Sequence, residues 1–71
     1  MDITDQKIKL GRKVRDLRLA RELSQVELGL MIGSGKSQIW AIENARTNVK
    51  LETLCKLAEA LAVDVRDLVE F

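Results

Sequence analysis

Apolar residues recur along this chain at helical spacing, and breaks between the periodic runs are clear. Between Gln6 and Arg21, Leu10, Val14 and Leu17 fall at i, i+4 and i+7 among Lys, Arg and Asp, which predicts an amphipathic first helix with one buried stripe. Ser24-Gln25-Val26-Glu27 is a capping box: the Ser24 hydroxyl can accept from the Glu27 backbone N–H, and the Glu27 carboxylate from that of Ser24. Leu23 and Leu28 flank it as a hydrophobic staple. A second helix therefore runs from Gln25 to about Ile32, where Gly33 supplies the left-handed residue that ends helices. Gly33-Ser34-Gly35 forms a tight turn. Ile39 and Ile42 then face inward on a third short helix, Lys36 to about Asn44, capped by Gly35 or Ser34. After a polar loop over Ala45 to Lys50, Leu51, Leu54, Leu57, Ala58 and Leu61 mark a fourth helix, with Cys55 on its inward face. Asp64-Val65-Arg66-Asp67 repeats the capping-box pattern with Val63 and Leu68 as its staple, and opens a short fifth helix ending at Phe71.

No linker, low-complexity tract or long repeat divides these elements, so residues 1–71 are expected to form a single domain. At this size a domain buries only about 60% of the surface its unfolded chain exposes, and needs a well-idealised core or a partner subunit. The absence of proline, with four glycines and two aromatic residues (Trp40 and Phe71) beside abundant Leu, Ala, Glu, Lys and Arg, argues against β-structure. The fold class expected is all-α, a compact five-helix domain.

The formal net charge of +1 says nothing about partners, but its distribution does. Residues 1–22 carry seven basic and four acidic groups, whereas residues 51–71 carry two and five. A basic N-terminal half can face a phosphate backbone while the acidic end points away. No stretch approaches the roughly eighteen apolar residues of a membrane span, and the polar N-terminus lacks a signal-peptide core, so the chain reads as cytoplasmic with no membrane partner.

One cysteine and no histidine exclude a disulfide framework, a zinc finger and a His-based triad. Gly33-Ser34-Gly35-Lys36-Ser37 superficially suggests a phosphate-binding loop. That pattern needs glycine where Leu30 stands and a preceding buried strand, and the second helix occupies that place. With no carboxylate pair or activated nucleophile, the chain is not expected to be an enzyme, and no metal, cofactor or small-molecule ligand is evident.

Helix two, the turn and helix three, about residues 25–44, have the lengths and spacing of a helix-turn-helix. Leu23-Ser24-Gln25-Val26-Glu27-Leu28-Gly29, then Ile32-Gly33-Ser34-Gly35-Lys36-Ser37-Gln38-Ile39, then Ile42-Glu43-Asn44 resemble the Cro/CI-type (XRE) helix-turn-helix family of phage and bacterial repressors. Leu51-Glu52-Thr53-Leu54, Leu57-Ala58, Ala60-Leu61 and Val65 to Leu68 continue the pattern, so the resemblance covers roughly residues 8–70. It implies a lambda-repressor-like domain, usually dimeric, whose third helix enters the major groove of a double-stranded DNA operator. The chain departs from the family at Ser34, where an apolar residue is usual, at Gly35, where Ser or Thr usually caps, and at Ala45, where Gly usually follows the third helix. Asn44 is expected to take over the left-handed position.

With Ile39 and Ile42 inward, Lys36, Ser37, Gln38, Trp40 and Ala41 remain outside for base contacts. Lys36 opposes the macrodipole at a helix N-terminus, yet in a groove it meets guanine O6/N7 or phosphate. Gln25 matches the family position packed beside the first recognition-helix residue. The Trp40 ring is covered either by a thymine methyl or sugar, or by folding back over the domain. The resemblance implies an ion pair between Arg18 and Glu43, with Arg18 also able to reach phosphate. Ser24, Asn44, Arg46, Thr47 and Asn48 complete the expected DNA-backbone contacts. Val65, Leu68, Val69 and Phe71 exceed what one face of a short helix can bury, which predicts a homodimer on a pseudo-palindromic site. The alternative is a helix-turn-helix used for protein binding, as in an antitoxin or adaptor, for which Leu30, Met31, Val49, Val69 and Phe71 supply surplus apolar surface.

Overall fold

In the computed structural model, which describes residues 2–71, five helices follow one another: α1 (Thr4–Ala20), α2 (Gln25–Met31), α3 (Lys36–Glu43), α4 (Leu51–Ala60) and α5 (Val65–Val69). α1 starts two residues before Gln6 because Asp2 closes the chain end, its Oδ1 accepting from Thr4 N at 2.9 Å and Thr4 Oγ1 at 2.6 Å. The Ser24 box that opens α2 has both bonds, Glu27 N to Ser24 Oγ at 3.0 Å and Ser24 N to Glu27 Oε1 at 2.9 Å. At α5, Asp64 N donates to Asp67 Oδ2 at 2.9 Å. That helix stops at Val69, short of Phe71.

One core joins all five helices. Leu10 and Val14 of α1, Leu28 of α2, Ile39 and Ile42 of α3, Leu57 and Ala58 of α4, and Leu68 of α5 are buried together with Ile32 and Leu61. α3 packs on both α1 and α2, while α5 packs on α1 and α4. Two glycines permit the closest approaches. A Cβ on Gly11 would lie 2.5 Å from Ile42 O and 2.7 Å from Glu43 O, so the α1–α3 crossing brings backbone against backbone. A Cβ on Gly29 would meet Gly35 C at 3.0 Å, which seats the turn against α2.

Four helices end the same way. Leu23 N bonds to Arg18 O (3.0 Å), Ser34 N to Gly29 O (2.7 Å), Arg46 N to Ala41 O (2.8 Å) and Val63 N to Ala58 O (2.9 Å). Each bond closes over a left-handed residue: Glu22 (φ 57°), Gly33 (φ 71°), Ala45 (φ 57°) and Ala62 (φ 56°). These are Schellman exits, in which the residue beyond the left-handed position satisfies an orphan helix carbonyl.

Several expectations are corrected. Ala45, not Asn44, is left-handed, because the Arg46 N–Ala41 O bond requires the reversal one residue beyond the cap. Asn44 keeps φ −102°, and its Nδ2 donates to Trp40 O at 2.8 Å. Cys55 is exposed, and Leu51 is 69% exposed. The inward stripe of α4 is Leu54, Leu57 and Ala58, continued by Leu61 at its C-cap; Cys55 stands about 100° around the helix from Leu54, and Leu51 in the first turn stays outside the core. Leu68 is 1% exposed within this chain's own core and has no surface left for a dimer contact. Among the described residues no helix is long and apolar enough to cross a membrane.

Candidate nucleic-acid interface

The surface around α3 is assembled on a buried polar clamp. Arg18 is 8% exposed at the end of α1; its Nε donates to Glu43 Oε2 at 2.6 Å and its Nη2 to Glu43 Oε1 at 3.0 Å. Nη1 donates to Leu23 O at 2.8 Å, tying in the approach to α2. Gln25, the first residue of α2, donates Nε2 to Glu43 Oε1 at 3.3 Å. One carboxylate at the end of α3 thus gathers groups from α1 and α2, and a bidentate arginine pair fixes orientation as well as distance. The hydrogen bond to Glu43 raises the Arg18 pKa above its ordinary value despite burial.

The ion pair expected of Arg18 is present; three of its N–H groups are used inside the domain, and the side chain reaches the surface only where it lines a cleft beside Arg15. Arg15, which sequence reasoning missed, is the exposed arginine there. It lines a cleft of about 230 Å³ with Arg18, Gln25, Trp40, Glu43 and Asn44. Its spacing of three from Arg18 on α1 was the available signal, since residues three apart share a helix face.

Lys36, Ser37, Gln38 and Trp40 are exposed and Ala41 is half-buried, while Ile39 and Ile42 lie beneath them in the core. Trp40 is 48% exposed and lines both the Arg15 cleft and a second one with Lys36 and Ser37. Gly35 is the N-cap of α3 and brings no side chain, leaving first-turn N–H groups without a side-chain acceptor. Ser34 donates its hydroxyl to Gln38 Oε1. Around the rim, Ser24 and Asn44 are exposed with part of their hydrogen-bonding capacity used locally. Arg46 and Asn48 are exposed in the loop after α3, and Thr47 is half-buried, its hydroxyl donating to Asn48 O at 3.3 Å. A row of donors and a cation on a helix that is locked from behind is chemistry suited to an anionic, acceptor-rich partner.

Fold and face define a helix-turn-helix domain. The chain belongs to the helix-turn-helix family, whose model matches residues 14–68. It is 44% identical over 57 residues to the cryptic phage CTXphi transcriptional repressor RstR of Vibrio cholerae, covering 80% of this chain and 51% of that protein. It therefore spans about half of that relative's length. It is 36% identical over 62 residues to control protein C.BamHI of Bacillus amyloliquefaciens, covering 86% of this chain and 76% of that one. In three dimensions it superposes on the restriction-modification controller protein C.AhdI of Aeromonas hydrophila with a TM-score of 0.90 at 35% identity, covering 96% of this chain and 99% of the other.

Proposed function

We propose that this chain is a sequence-specific double-stranded DNA-binding transcriptional regulator that lays α3 in the major groove and binds a pseudo-palindromic operator as a dimer. The observation that carries this reading is the first turn of α3. Lys36, Ser37 and Gln38 stand exposed on a helix that Ile39, Ile42 and the Glu43 clamp hold from behind, so the reading groups are presented on a rigid support. Gln25, Lys36, Ser37, Gln38, Trp40 and Ala41 then address base edges, while Ser24, Asn44, Arg46, Thr47 and Asn48, joined by Arg15, hold the phosphate backbone. Names of relatives that denote repressors and controller proteins agree with this reading.

Dimerisation is assigned to Val65, Val69 and Phe71. Val69 and Phe71 are exposed and border an apolar groove with Ile3, Leu10 and Val49. Two-fold pairing there would set the α3 helices about 34 Å apart, one turn of DNA. A second reading, a protein-binding module, draws on Leu30 and Met31, 73% and 54% exposed at the far end of α2. Binding to DNA selected from a random pool, measured at several salt concentrations, separates the two, because a protein-binding module has no phosphate term. Sedimentation that shows a monomer at tens of micromolar, with and without the selected DNA, would remove the dimer.

A further inference from the structure

Trp40 is the apolar exception on a polar face. It stands four residues after Lys36 and three after Ser37 on α3, so the three side chains share one side of the helix, away from the buried Ile39 and Ile42. Every other residue lining its two clefts is polar or charged: Lys36 and Ser37 in one, Arg15, Arg18, Gln25, Glu43 and Asn44 in the other. The ring nevertheless stays about half exposed. Its polar atom, the indole Nε1–H, donates to none of the described residues, and the Glu43 carboxylate nearby is already engaged by Arg18 and Gln25.

The side chain itself defines the partner it fits. Indole offers an apolar ring and one donor and has no acceptor, so the matching surface is an apolar group beside an acceptor. In the major groove one base has that edge: thymine, with its C5-methyl next to O4. Guanine presents acceptors without a methyl, while adenine and cytosine each present an amino donor that indole cannot accept from. We infer that Trp40 is a specificity-determining residue that reads the C5-methyl group of one thymine per half-site, where the neighbouring O4 suits the indole N–H. This rests on the reading of α3 as the recognition helix. The competing apolar surface of DNA is deoxyribose, which is the same under every base and would make Trp40 blind to sequence.

Uracil tests the assignment, because it lacks only the methyl and keeps every hydrogen-bonding group of thymine. In a site that wild type selects from a random pool, each thymine is replaced by uracil in turn, and affinity is measured for wild type, Trp40→Ala and Trp40→Gln. Wild type should lose about three- to fivefold at one thymine per half-site, the worth of one buried methyl group. Both variants, Trp40→Gln included although it keeps a donor, should bind that site less tightly and be indifferent to uracil at the same position. Losses at other thymines should be shared by all three proteins. Thermal melting shows which variants are folded, and either one suffices. A further readout needs no variant: 5-iodouracil at the sensitive thymine, with iodine in place of the methyl, should crosslink wild type at Trp40 on irradiation. A wild type that tolerates uracil at every thymine, a profile that a folded variant leaves unchanged, or a crosslink at another residue overturns the role of Trp40 while leaving α3 as the reading helix. A wild type that enriches no sequence overturns the DNA reading itself.

Discussion

Arg18 and Glu43 form a bidentate ion pair across 25 positions of sequence, with side-chain exposures of 10% and 2%. Charges so thoroughly desolvated are costly to separate, since the remaining partner stays buried and unpaired. Arg18→Ala should therefore lose about 3–5 kcal/mol of stability. A double variant, Arg18→Met with Glu43→Leu, should recover most of that loss, because a well-packed apolar pair avoids the desolvation cost. Urea unfolding of the three proteins checks both statements; a double variant no more stable than the single one would show that the charges, not the volume, hold the helices together.

Gly11 should resist any side chain. An added Cβ meets two backbone carbonyl oxygens, at 2.5 and 2.7 Å, which cannot rotate away as a side chain could. Gly11→Ala would gain up to about 1 kcal/mol of helix propensity elsewhere, yet here overpacking should cost about 1–3 kcal/mol net. A lowered urea midpoint for Gly11→Ala is the expected result.

Local chemistry makes most of the helix ends legible in the sequence. The Ser24 box, the Asp64 start and the left-handed Gly33 each depend on residues within one turn of chain, so neighbouring letters contain the interaction. Burial of Leu68, exposure of Cys55 and Leu51, and the close approach at Gly11 depend on which helix lies opposite, which no local pattern records. Gly11 does leave a trace as an isolated glycine inside a helical pattern. The ion pair is expected only through family resemblance, because 25 positions of separation carry no periodic signal. Ala45 escapes for a different reason: propensity favours Asn in the left-handed region, but the Arg46 N–Ala41 O bond decides the position.

Ala45 consequently sits where its Cβ is unfavourable. A left-handed conformation costs a non-glycine residue roughly 1–2 kcal/mol, so Ala45→Gly should stabilise the domain by about 1 kcal/mol after the entropy of the unfolded glycine is offset. Raised thermal stability without change in DNA preference is the expected outcome. A destabilised Ala45→Gly would mean that flexibility of the loop outweighs relief of the strain.

The capping box at Ser24 makes stability depend on pH. The backbone N–H of Ser24, and then its hydroxyl, hold the Glu27 carboxyl below its ordinary value of 4.5. A group whose pKa is depressed on folding contributes stability above the unfolded value and loses it as pH falls through the folded value. Stability should therefore decline as acid protonates Glu27 below about pH 4.5, and Glu27→Gln should flatten that part of the profile. Denaturation midpoints between about pH 3 and pH 6 give the comparison, with identical acid slopes in the two proteins as the contrary result.

Lys36 and Arg46 should fail in different ways when removed. On the proposed docking, Lys36 in the first turn of α3 would enter the groove and meet guanine O6/N7, whereas Arg46, which follows the helix, would stand at the groove wall. Lys36→Ala should cost on the order of 1–3 kcal/mol on the selected site and relax preference at particular base pairs. Arg46→Ala should weaken cognate and scrambled DNA alike and reduce the salt slope by about one. Titrations at two salt concentrations on both DNAs resolve the difference. If the two variants lose affinity equally on both, then Lys36 contributes only charge, and base selection must come from Gln38 and its neighbours without it.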